Sequence, residues 1–332
     1  MKLAIVILNW NGKELLKAFL PSVIKHSSNN EIYVVDNAST DSSVKFLELN
    51  YPHINCIQLK HNLGFAAGYN ESLKQINADV YCLLNSDVEV TKNWISPIMD
   101  VFKNENNTHI IQPKILDYKK KNYFEYAGAG GGFIDKLGYP YCRGRVFNSI
   151  EEDKGQYNDR TEIFWASGAC FFITAACYKH LGGFDNTFFA HMEEIDLCWR
   201  AKNKGYRIEY IGNSTVYHVG GASLNNSNPK KTYLNFRNSL YSLVKNTQHQ
   251  LITVIYLRLL LDGIAGLKFL FQGELNHTFA IVKAHLNFYQ ALPRLIKLRR
   301  QTIKTSKPGN LHPSIVWSYF VLKIKHYSKL HK

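Results

Sequence analysis

Polar residues that can bind a ligand follow four apolar segments in the first part of the chain. They are Asn9 and Asn11 after the first segment, Asp36 and Asn37 after the second, Asn62, Gly64 and Asn70 after the third, and Asn85 and Asp87 after the fourth. Ligands of open parallel sheets bind at the carboxyl ends of the strands. The four groups therefore predict one polar binding site at that edge.

Two carboxylates in these groups suit different parts of a nucleotide. Asp36 ends an apolar segment, where it can accept hydrogen bonds from a nucleobase N–H or a ribose hydroxyl. Asp87 ends the oxygen-rich segment Asn85-Ser86-Asp87, which suits Mg²⁺ or Mn²⁺ bridging a diphosphate. A turn or cap residue is the alternative for either carboxylate taken alone.

A second group of acids lies at a predicted helix start. Glu193, Glu194 and Asp196 fall within four positions, where the helix dipole favours acids, so capping is one explanation. The i, i+3 spacing makes Glu193 and Asp196 neighbours and turns Glu194 elsewhere. One acid can therefore face a pocket while the others cap the helix or bind Arg200. His218 ends a later strand, and beside such a site it is a candidate metal ligand.

The elements that must position these residues alternate along the first third of the chain. Four short apolar segments are typical of buried strands in a parallel sheet, at 3–8, 31–35, 54–59 and 79–84. Helical stretches lie between them, at about 13–26, 41–49 and 65–77. The alternation predicts an open α/β sheet with right-handed crossovers.

The middle of the chain is less regular, from 104 to 160. It contains the glycine-rich run 127–132 and a polar run at 151–160, which indicate a mobile loop or an insertion. Regular structure is predicted again further along, at 163–174 and 193–211, with helices at 233–245 and 251–298.

The charge of this 332-residue chain is uneven. The net charge is +14, and eleven lysines and arginines but no acids lie beyond Glu274. A basic tail on a balanced body indicates an anionic partner, either membrane lipid or nucleic acid. Six cysteines without a C-x-x-C pair predict reduced thiols in a cytosolic protein. The first apolar segment is too short for a signal peptide.

Residues 251–272 combine many Leu and Ile with three charged side chains, Arg258, Asp262 and Lys268. On a helical wheel these three cluster with Gln272 on one side. An amphipathic helix at a membrane interface fits this pattern better than a membrane span, because charges at the bilayer centre are costly. A core helix of a C-terminal subdomain is an equally good interpretation.

Seven segments together resemble the family 2 glycosyltransferases, particularly their bacterial rhamnosyltransferase-type members. They are VILNWNG (6–12), VVDNASTD (34–41), NLGFAAGYN (62–70), LLNSD (83–87), GGFD (182–185), the segment 188–200 and RN (237–238). Each motif is weak alone, but together they keep the family's order over about 3–240. The resemblance implies a GT-A fold at 1–240, a Rossmann-like and mostly parallel sheet flanked by helices. A helical, basic and possible membrane-contacting region follows at 241–332.

The resemblance also implies a reaction and its residues. A nucleotide-diphosphate sugar would be the donor, with inversion at the anomeric carbon. The residues implied in donor binding are Asn9, Asn11, Asp36, Asn37, Asn62, Gly64, Asn70 and Asn85. Asp87 would bind Mg²⁺ or Mn²⁺ in a degenerate D-x-D-type motif, with His218 as a further ligand. Glu194 would be the catalytic base, with Glu193 and Asp196 as the other candidates.

The remaining expectations concern the acceptor. Small residues after an aromatic suit a wall around the acceptor or donor sugar; these are Trp165, Ser167 and Gly168, with Glu193, Asp196 and Arg200 as support. A strand entering the core is the alternative for this segment. The C-terminal helices and basic tail suit the inner face of a bacterial membrane, where lipid-linked acceptors reside. A glycan or polyprenyl-linked acceptor and a role in surface-polysaccharide synthesis are thereby implied, with dTDP-rhamnose or a UDP-sugar as donor.

Two other functions fit parts of the sequence. A sugar-phosphate nucleotidyltransferase also uses an α/β nucleotide site with a metal, but it needs a glycine-rich basic loop where this chain has NWNGK at 9–13. A non-catalytic module would use the basic tail and its aromatic residues on a membrane or on nucleic acid. Nucleic acid is the less favoured partner, because the tail carries no known nucleic-acid motif.

Overall fold

The computed structural model describes residues 1–220, 228–248, 250–302 and 311–330. The helices are α1 (Lys13–His26), α2 (Ser43–Asn50), α3 (Gly64–Leu73), α4 (Ser96–Asn104), α5 (Ala175–His180), α6 (Glu193–Asn203), α7 (Pro229–Asn246), α8 (Leu251–Phe271), α9 (Leu275–Thr302) and α10 (Ile315–Phe320). The strands are β1 (Leu3–Asn9), β2 (Glu31–Asp36), β3 (Asn55–Gln58), β4 (Val80–Asn85), β5 (Val88–Val90), β6 (Thr108–Asp117), β7 (Gly132–Ile134), β8 (Pro140–Cys142), β9 (Arg145–Val146), β10 (Ser149–Ile150), β11 (Arg160–Glu162), β12 (Cys170–Thr174) and β13 (Arg207–His218).

In the described ranges, nine strands form one central sheet. Its order is β11-β13-β6-β12-β4-β1-β2-β3, with β5 paired to β13. The first four strands form a parallel block, because a helix returns the chain before β2, β3 and β4. β1 and β4 are apolar and buried almost throughout, as strands covered on both faces must be. The α/β class and the first four strands predicted from the sequence are confirmed.

The strand register brings the predicted polar residues to one edge. Asn9 lies opposite Asp36, and Leu8 lies opposite Asn85. β2 and β4 flank β1 on opposite sides, so the chain order reverses beside β1. Such a switch point opens a crevice at the carboxyl ends of the strands. The sheet therefore places the strand-end residues where an α/β protein binds its ligand.

The region 104–160 is more ordered than predicted. β6 is a ten-residue strand of the central sheet, and β7 to β10 form a separate antiparallel sheet of four strands. The glycine-rich run is packed rather than loose: a Cβ on Gly128 or Gly132 would clash with Ser167 or Trp165. Glycine occurs here because the backbone approaches neighbouring side chains closely.

The C-terminal helices also differ from prediction. The single helical stretch expected at 251–298 is divided into α8 and α9, because Gly273 adopts a left-handed φ of 76°. The domain boundary predicted at 240 falls inside α7, whose residues on both sides of that point are buried. The division into two domains stays a prediction. Across the described ranges, no helix combines the length and apolar content needed to cross a bilayer.

Part of the polar side of α8 faces the protein, whereas Lys268 and Gln272 near its end are exposed. Arg258 and Asp262 are 3% and 0% exposed and form an ion pair of 2.8 Å. Arg258 also donates to the Leu137 carbonyl and lies over the Tyr139 ring. The helix is amphipathic as predicted, but neither interpretation of its environment anticipated this arrangement. The loop beneath α8 supplies the carbonyl and aromatic partners that a buried guanidinium requires.

Candidate active site

Asn9 and Asp36 form a buried pair at the ends of β1 and β2. Asn9 Nδ2 donates to Asp36 Oδ1 at 3.1 Å, and the Ser39 backbone N–H donates to Asp36 Oδ2 at 2.9 Å. Asn9 Oδ1 is buried without a hydrogen-bond partner in the described structure. A buried acceptor without a partner is costly unless a ligand satisfies it. The pair is therefore suited to binding a polar ligand such as a nucleoside.

Asn37 and Asn62 shape the loop that begins α3. Asn37 Oδ1 accepts from the Leu63 backbone N–H at 2.9 Å, while Nδ2 donates to Asn62 Oδ1 and the Gly64 carbonyl. Gly64 has a φ of 74°, and a Cβ there would lie 2.7 Å from the Phe189 carbonyl oxygen. These residues hold a backbone loop against the strand ends, which requires glycine at 64.

Two residues implied in donor binding have other partners. Asn11 Oδ1 accepts from the Thr40 N–H at 2.7 Å and so ties the loops after β1 and β2 together. The Asn70 amide donates to Asn186 and the Phe184 carbonyl, and its oxygen accepts from Tyr178 and the Phe184 N–H. The structure thus places Asn70 as a brace of the 178–186 segment instead of bringing it to the strand ends.

Asp87 and His218 meet because β5 pairs with β13. His218 Nε2 lies 3.1 Å from Asp87 Oδ1, and Asn85 Nδ2 lies 3.5 Å from the same nitrogen. His218 Nδ1 lies 3.4 Å from Glu125 Oε1. Burial opposes protonation of His218, but Glu125 and Asp87 outweigh it and raise its pKa to about 10. Burial likewise disfavours the charged Asp87, yet His218 holds the Asp87 pKa below its usual value.

This pair fits a divalent cation that is shared with a substrate. A carboxylate oxygen is a suitable donor, and the His218 nitrogen becomes one when the cation displaces its proton. Mg²⁺ and Mn²⁺ often complete their coordination with substrate phosphates and water. Within the described residues, no three His, Cys, Asp or Glu side chains converge into a metal site. Asp87 and His218 would therefore be the protein ligands. Glu125 contacts the far nitrogen of His218, as an orienting carboxylate does.

Glu125 was missed in the sequence because no motif surrounds it. It is 3% exposed and follows β6, in the region expected to be a loop. Its other oxygen accepts from the Ala127 backbone N–H at 2.6 Å. Only the packing of this segment beneath β13 brings the carboxylate to His218.

Glu193 and Glu194 begin α6 without charged partners. Glu193 is buried and Glu194 is partly exposed, and the Oε2 atom of each has no hydrogen-bond partner in the described structure. Burial raises the pKa of Glu194 to about 7, and burial together with the Glu194 charge raises the pKa of Glu193. A Cβ on Gly168 would lie 3.9 Å from Glu194 Cδ. Glu194 thus combines partial exposure of the residue with a buried, unpartnered Oε2 atom and a pKa near neutrality.

The loop before α6 has an unusual backbone. Phe189, His191 and Met192 all have positive φ angles, of 63°, 68° and 71°. Such conformations are strained for residues other than glycine and need support from their surroundings. Asn238 supplies it from α7, because its Nδ2 lies 3.1, 3.0 and 2.7 Å from three carbonyl oxygens of this loop. This explains the RN segment at 237–238, for which the sequence suggested no role.

The other predicted support residues lie in the core. Trp165 Nε1 donates to the Phe133 carbonyl at 2.8 Å, and the Ser167 backbone N–H donates to Gln112 at 2.8 Å. Both residues are almost fully buried, as the alternative of a strand entering the core predicted. Within this segment it is Gly168 that lies beside Glu194.

Asp196 and Arg200 form part of a buried charge network. Asp196 accepts from Arg200 Nε at 2.8 Å, Lys245 Nζ at 2.9 Å and Asn246 Nδ2 at 2.8 Å. Burial disfavours the Asp196 charge, but Lys245 and Arg200 lower its pKa below the usual value. A carboxylate held by three donors is poorly suited to accept a proton. The network instead fastens α6 to α7.

The fold, with its strand-end site, is that of the GT-A glycosyltransferases. The family model described as "Glycosyl transferase family 2" matches residues 4–182, more than half of the chain. The chain therefore belongs to glycosyl transferase family 2, and the resemblance found in the sequence is confirmed.

Individual relatives have low sequence identity to this chain but match it over most of its length. The chain is 24% identical to the low-salt glycan biosynthesis hexosyltransferase Agl10 of Haloferax volcanii, over 83% of this chain and 87% of that protein. It is 22% identical to N-acetylglucosaminyl-diphospho-decaprenol L-rhamnosyltransferase of Mycobacterium tuberculosis, over 65% and 75% of the two chains. GalNAc-T7, solved with UDP, GalNAc and Mn²⁺, has a TM-score of 0.57 at 16% identity, over 74% of this chain and 48% of that one.

Proposed function

We propose that the protein transfers a sugar, with inversion, from a nucleotide-diphosphate donor to a hydroxyl of a glycan or polyprenyl-linked acceptor. The observation that carries this proposal is Glu194, a partly exposed residue whose buried Oε2 atom has no hydrogen-bond partner in the described structure and whose pKa of about 7 suits a general base. Direct displacement from the face opposite the leaving group inverts the anomeric carbon. Such a displacement requires a base for the acceptor hydroxyl and no nucleophilic side chain.

Glu194 accepts the proton from the acceptor hydroxyl as that oxygen attacks the sugar. Its carboxylate is available near neutral pH, because burial has raised its pKa only to about 7. Glu193 stays protonated beside it, since two neighbouring buried carboxylates do not both ionise readily. Gly168 leaves room next to Glu194, where a side chain would narrow the approach to the carboxylate.

On the donor side, Asn9 and Asp36 hold the nucleoside, and the loop at 62–65 lines it with backbone groups. Asp87 and His218 would hold a divalent cation, Mn²⁺ or Mg²⁺, and Glu125 would orient the histidine. When bound, this cation neutralises charge on the diphosphate leaving group. GalNAc-T7, solved with UDP and Mn²⁺, supports a metal-assisted donor site.

The relatives suggest which substrates to test. The name of the Mycobacterium tuberculosis relative describes transfer of L-rhamnose to a decaprenol-linked sugar. We therefore propose dTDP-rhamnose or a UDP-sugar as donor and a polyprenyl-linked acceptor of bacterial surface-polysaccharide synthesis. A lipid-linked acceptor and a cytoplasmic nucleotide donor meet at the inner face of the cytoplasmic membrane. Family membership favours this reaction over nucleotidyl transfer or a non-catalytic role.

Nucleotide release from a panel of sugar nucleotides tests the proposal. Purified enzyme is incubated with dTDP-rhamnose and UDP-sugars in the presence of Mn²⁺, Mg²⁺ or EDTA, with and without polyprenyl-diphosphate sugars. We expect release from one donor that requires metal and increases with acceptor, together with inverted configuration in the product. The Asp87→Asn variant should lose the metal-dependent part of the nucleotide release, because it replaces a charged carboxylate ligand of the cation with a neutral amide.

The outcomes separate the parts of the proposal. Undiminished release in EDTA would contradict metal dependence, and retained anomeric configuration would contradict inversion. Absence of binding and turnover with every donor, under conditions where the protein is folded, would overturn the proposed donor class.

A further inference from the structure

The exposed face of the α8–α9 hairpin is apolar. On α8 the outward residues recur at helical spacing and include Ile252, Tyr256, Leu260, Ile264 and Leu267. On α9 the same pattern is made by Leu275, Phe279, Val282, Leu286 and Tyr289. Each stripe lies opposite the residues that its helix buries, so the two helices share an apolar outer layer. Isolated exposed apolar residues are normal, but a contiguous stripe marks a contact surface.

The buried ion pair of Arg258 and Asp262 explains why the apolar stripe of α8 is exposed. A helix whose charged residues faced water would bury its apolar stripe in the core. Here the charges are buried beneath the helix, and His285 of α9 lies 3.4 Å from Asp262. The buried charges leave the stripe on the outside, so its exposure is built into the packing of the hairpin.

Basic residues accompany the apolar layer. Exposed lysines and arginines lie on and after the hairpin, at Lys268, Lys283, Lys297, Arg300, Lys323 and Lys325. The sequence contains no acid beyond Glu274. Glu274 in the turn between α8 and α9 is an exposed acid, but the other exposed charges of the described hairpin are positive. An apolar stripe bordered mainly by positive charge complements an anionic lipid surface, where acyl chains meet the stripe and headgroups meet the lysines. A second copy of this chain would bring the same positive charges together.

A series of contacts connects the hairpin to the donor loop at 62–65. His277 near the start of α9 contacts Thr232 of α7, with Nδ1 and Oγ1 2.7 Å apart. Lys230, in the same turn of α7, lies over the ring of Phe189, and the Phe189 carbonyl accepts from the Phe65 N–H of the donor loop. The helix α9 is therefore connected through α7 and Phe189 to the loop that begins α3.

We propose that the apolar face of α8 and α9 binds the surface of an anionic bilayer and so presents the active site to a lipid-linked acceptor. This inference deepens the proposed function and rests on it for the identity of the acceptor. The hairpin lies in the interface without crossing it: the apolar stripe inserts between the acyl chains, and the basic residues contact anionic headgroups.

Vesicle co-sedimentation of the full chain tests the surface. The probes are vesicles of phosphatidylcholine alone and of phosphatidylcholine with phosphatidylglycerol. We expect binding to the anionic vesicles that weakens with salt. The Ile264→Glu and Phe279→Glu variants should each reduce partitioning by about tenfold or more, because a buried apolar side chain contributes about that much.

Leu49→Glu provides the matched control. Leu49 is 71% exposed on α2, against 61% for Ile264 and 67% for Phe279, and it lies outside the hairpin. It should bind vesicles like the wild type. Circular dichroism and donor turnover in solution show that all three variants are folded, because none of them touches the strand-end site.

Each outcome decides the proposal. Loss of binding in both hairpin variants with retained binding in Leu49→Glu supports it. Equal binding by all variants, or binding to neither vesicle, overturns the membrane surface. A dimer in sedimentation velocity that Ile264→Glu dissociates, without vesicle binding, assigns the face to a second copy and also overturns it. Vesicle binding without turnover of any donor would contradict the proposed function alone, whereas turnover without vesicle binding would contradict this inference alone.

Discussion

Two groups of carboxylates in the first turns of α6 have opposite environments. Glu193 and Glu194 have oxygens without partners, and their pKa values are raised. Asp196, two residues further along, accepts hydrogen bonds from Arg200, Lys245 and Asn246, and its pKa is lowered. The same type of side chain thus has a raised pKa at Glu193 and Glu194 and a lowered pKa at Asp196.

The difference shows that pairing with a buried cation separates a structural carboxylate from one that keeps a raised pKa. A carboxylate neutralised by buried cations gives up its basicity to stabilise its charge, and it holds two helices together. A carboxylate desolvated without a cation keeps a high pKa, which is a property of catalytic acids and bases. The lack of partners in the described structure is therefore what favours Glu194 over Asp196 as the proposed base.

The most severe test replaces the unpaired acid. Glu194→Gln should reduce kcat by about 10²–10⁴-fold, because the amide cannot accept the acceptor proton. Glu193→Gln should cost less than about tenfold, since a protonated carboxyl and an amide both carry a donor and an acceptor. Asp100→Asn, at an exposed acid on α4, is the control. A larger loss in Glu193→Gln than in Glu194→Gln would transfer the role of base to Glu193.

The complementary test breaks the paired group. Lys245 Nζ lies 2.8 Å from Asp185 and 2.9 Å from Asp196, and its side chain is 3% exposed. Lys245→Met should lower the free energy of unfolding by about 3–5 kcal/mol, because it leaves buried anions undercompensated. Lys74→Met, which removes an exposed pair with Glu71, should cost about 0–1 kcal/mol. Urea titrations measure both, and similar costs would contradict the structural role of the network.

A smaller effect is expected at Glu125, a paired carboxylate inside the active site. Glu125→Gln should weaken Mn²⁺ affinity by about 10–100-fold, since it removes the charge that orients His218. Titration calorimetry with Mn²⁺ and a nucleoside diphosphate measures this without turnover. Saturating Mn²⁺ should restore most of the rate. The control is Glu89→Gln, because Glu89 on β5 also forms an ion pair, with Lys121, but at a partly exposed position. Unchanged Mn²⁺ affinity would remove Glu125 from the metal site.

The mildest test uses pH alone. Below about pH 7 Glu194 is protonated, so the rate should fall about tenfold per unit of decreasing pH. Asp185 behaves oppositely: burial raises its pKa, but Lys245 outweighs burial and lowers it to about 2. Its stabilising contribution is complete above its ordinary pKa and is lost as the pH falls toward 2. A folded but nearly inactive protein is therefore expected near pH 5. Loss of activity and of the folded structure over the same pH range would contradict the different pKa shifts of Glu194 and Asp185.

Local sequence signals were sufficient to predict which polar residues meet at the ends of the strands. Short apolar segments followed by Asn9, Asp36 and Asn85 predict buried strands and their polar ends, because a parallel sheet aligns those ends by construction. The partners of Asn70 could not be read in this way, because they lie more than a hundred residues away in the 178–186 segment.

Other features depend on contacts between segments far apart in sequence. Glu125 becomes a partner of His218 only when the segment after β6 packs beneath β13. The glycine-rich run looked flexible because glycine permits both mobility and close approach. In the structure, Gly128 and Gly132 pack against Ser167 and Trp165, so these glycines allow close approach of the backbone.

The sequence by itself determined the α/β class, the family and the edge of the sheet where the predicted polar residues meet, because each follows from local periodicity and motif order. Tertiary structure decided which acid is unpaired and which side of α8 faces the protein. A helical wheel separates polar from apolar residues, but it does not say which face is buried. For α8 the buried partners of Arg258 and Asp262 settle that choice, because a desolvated charge is stable only where its partners are.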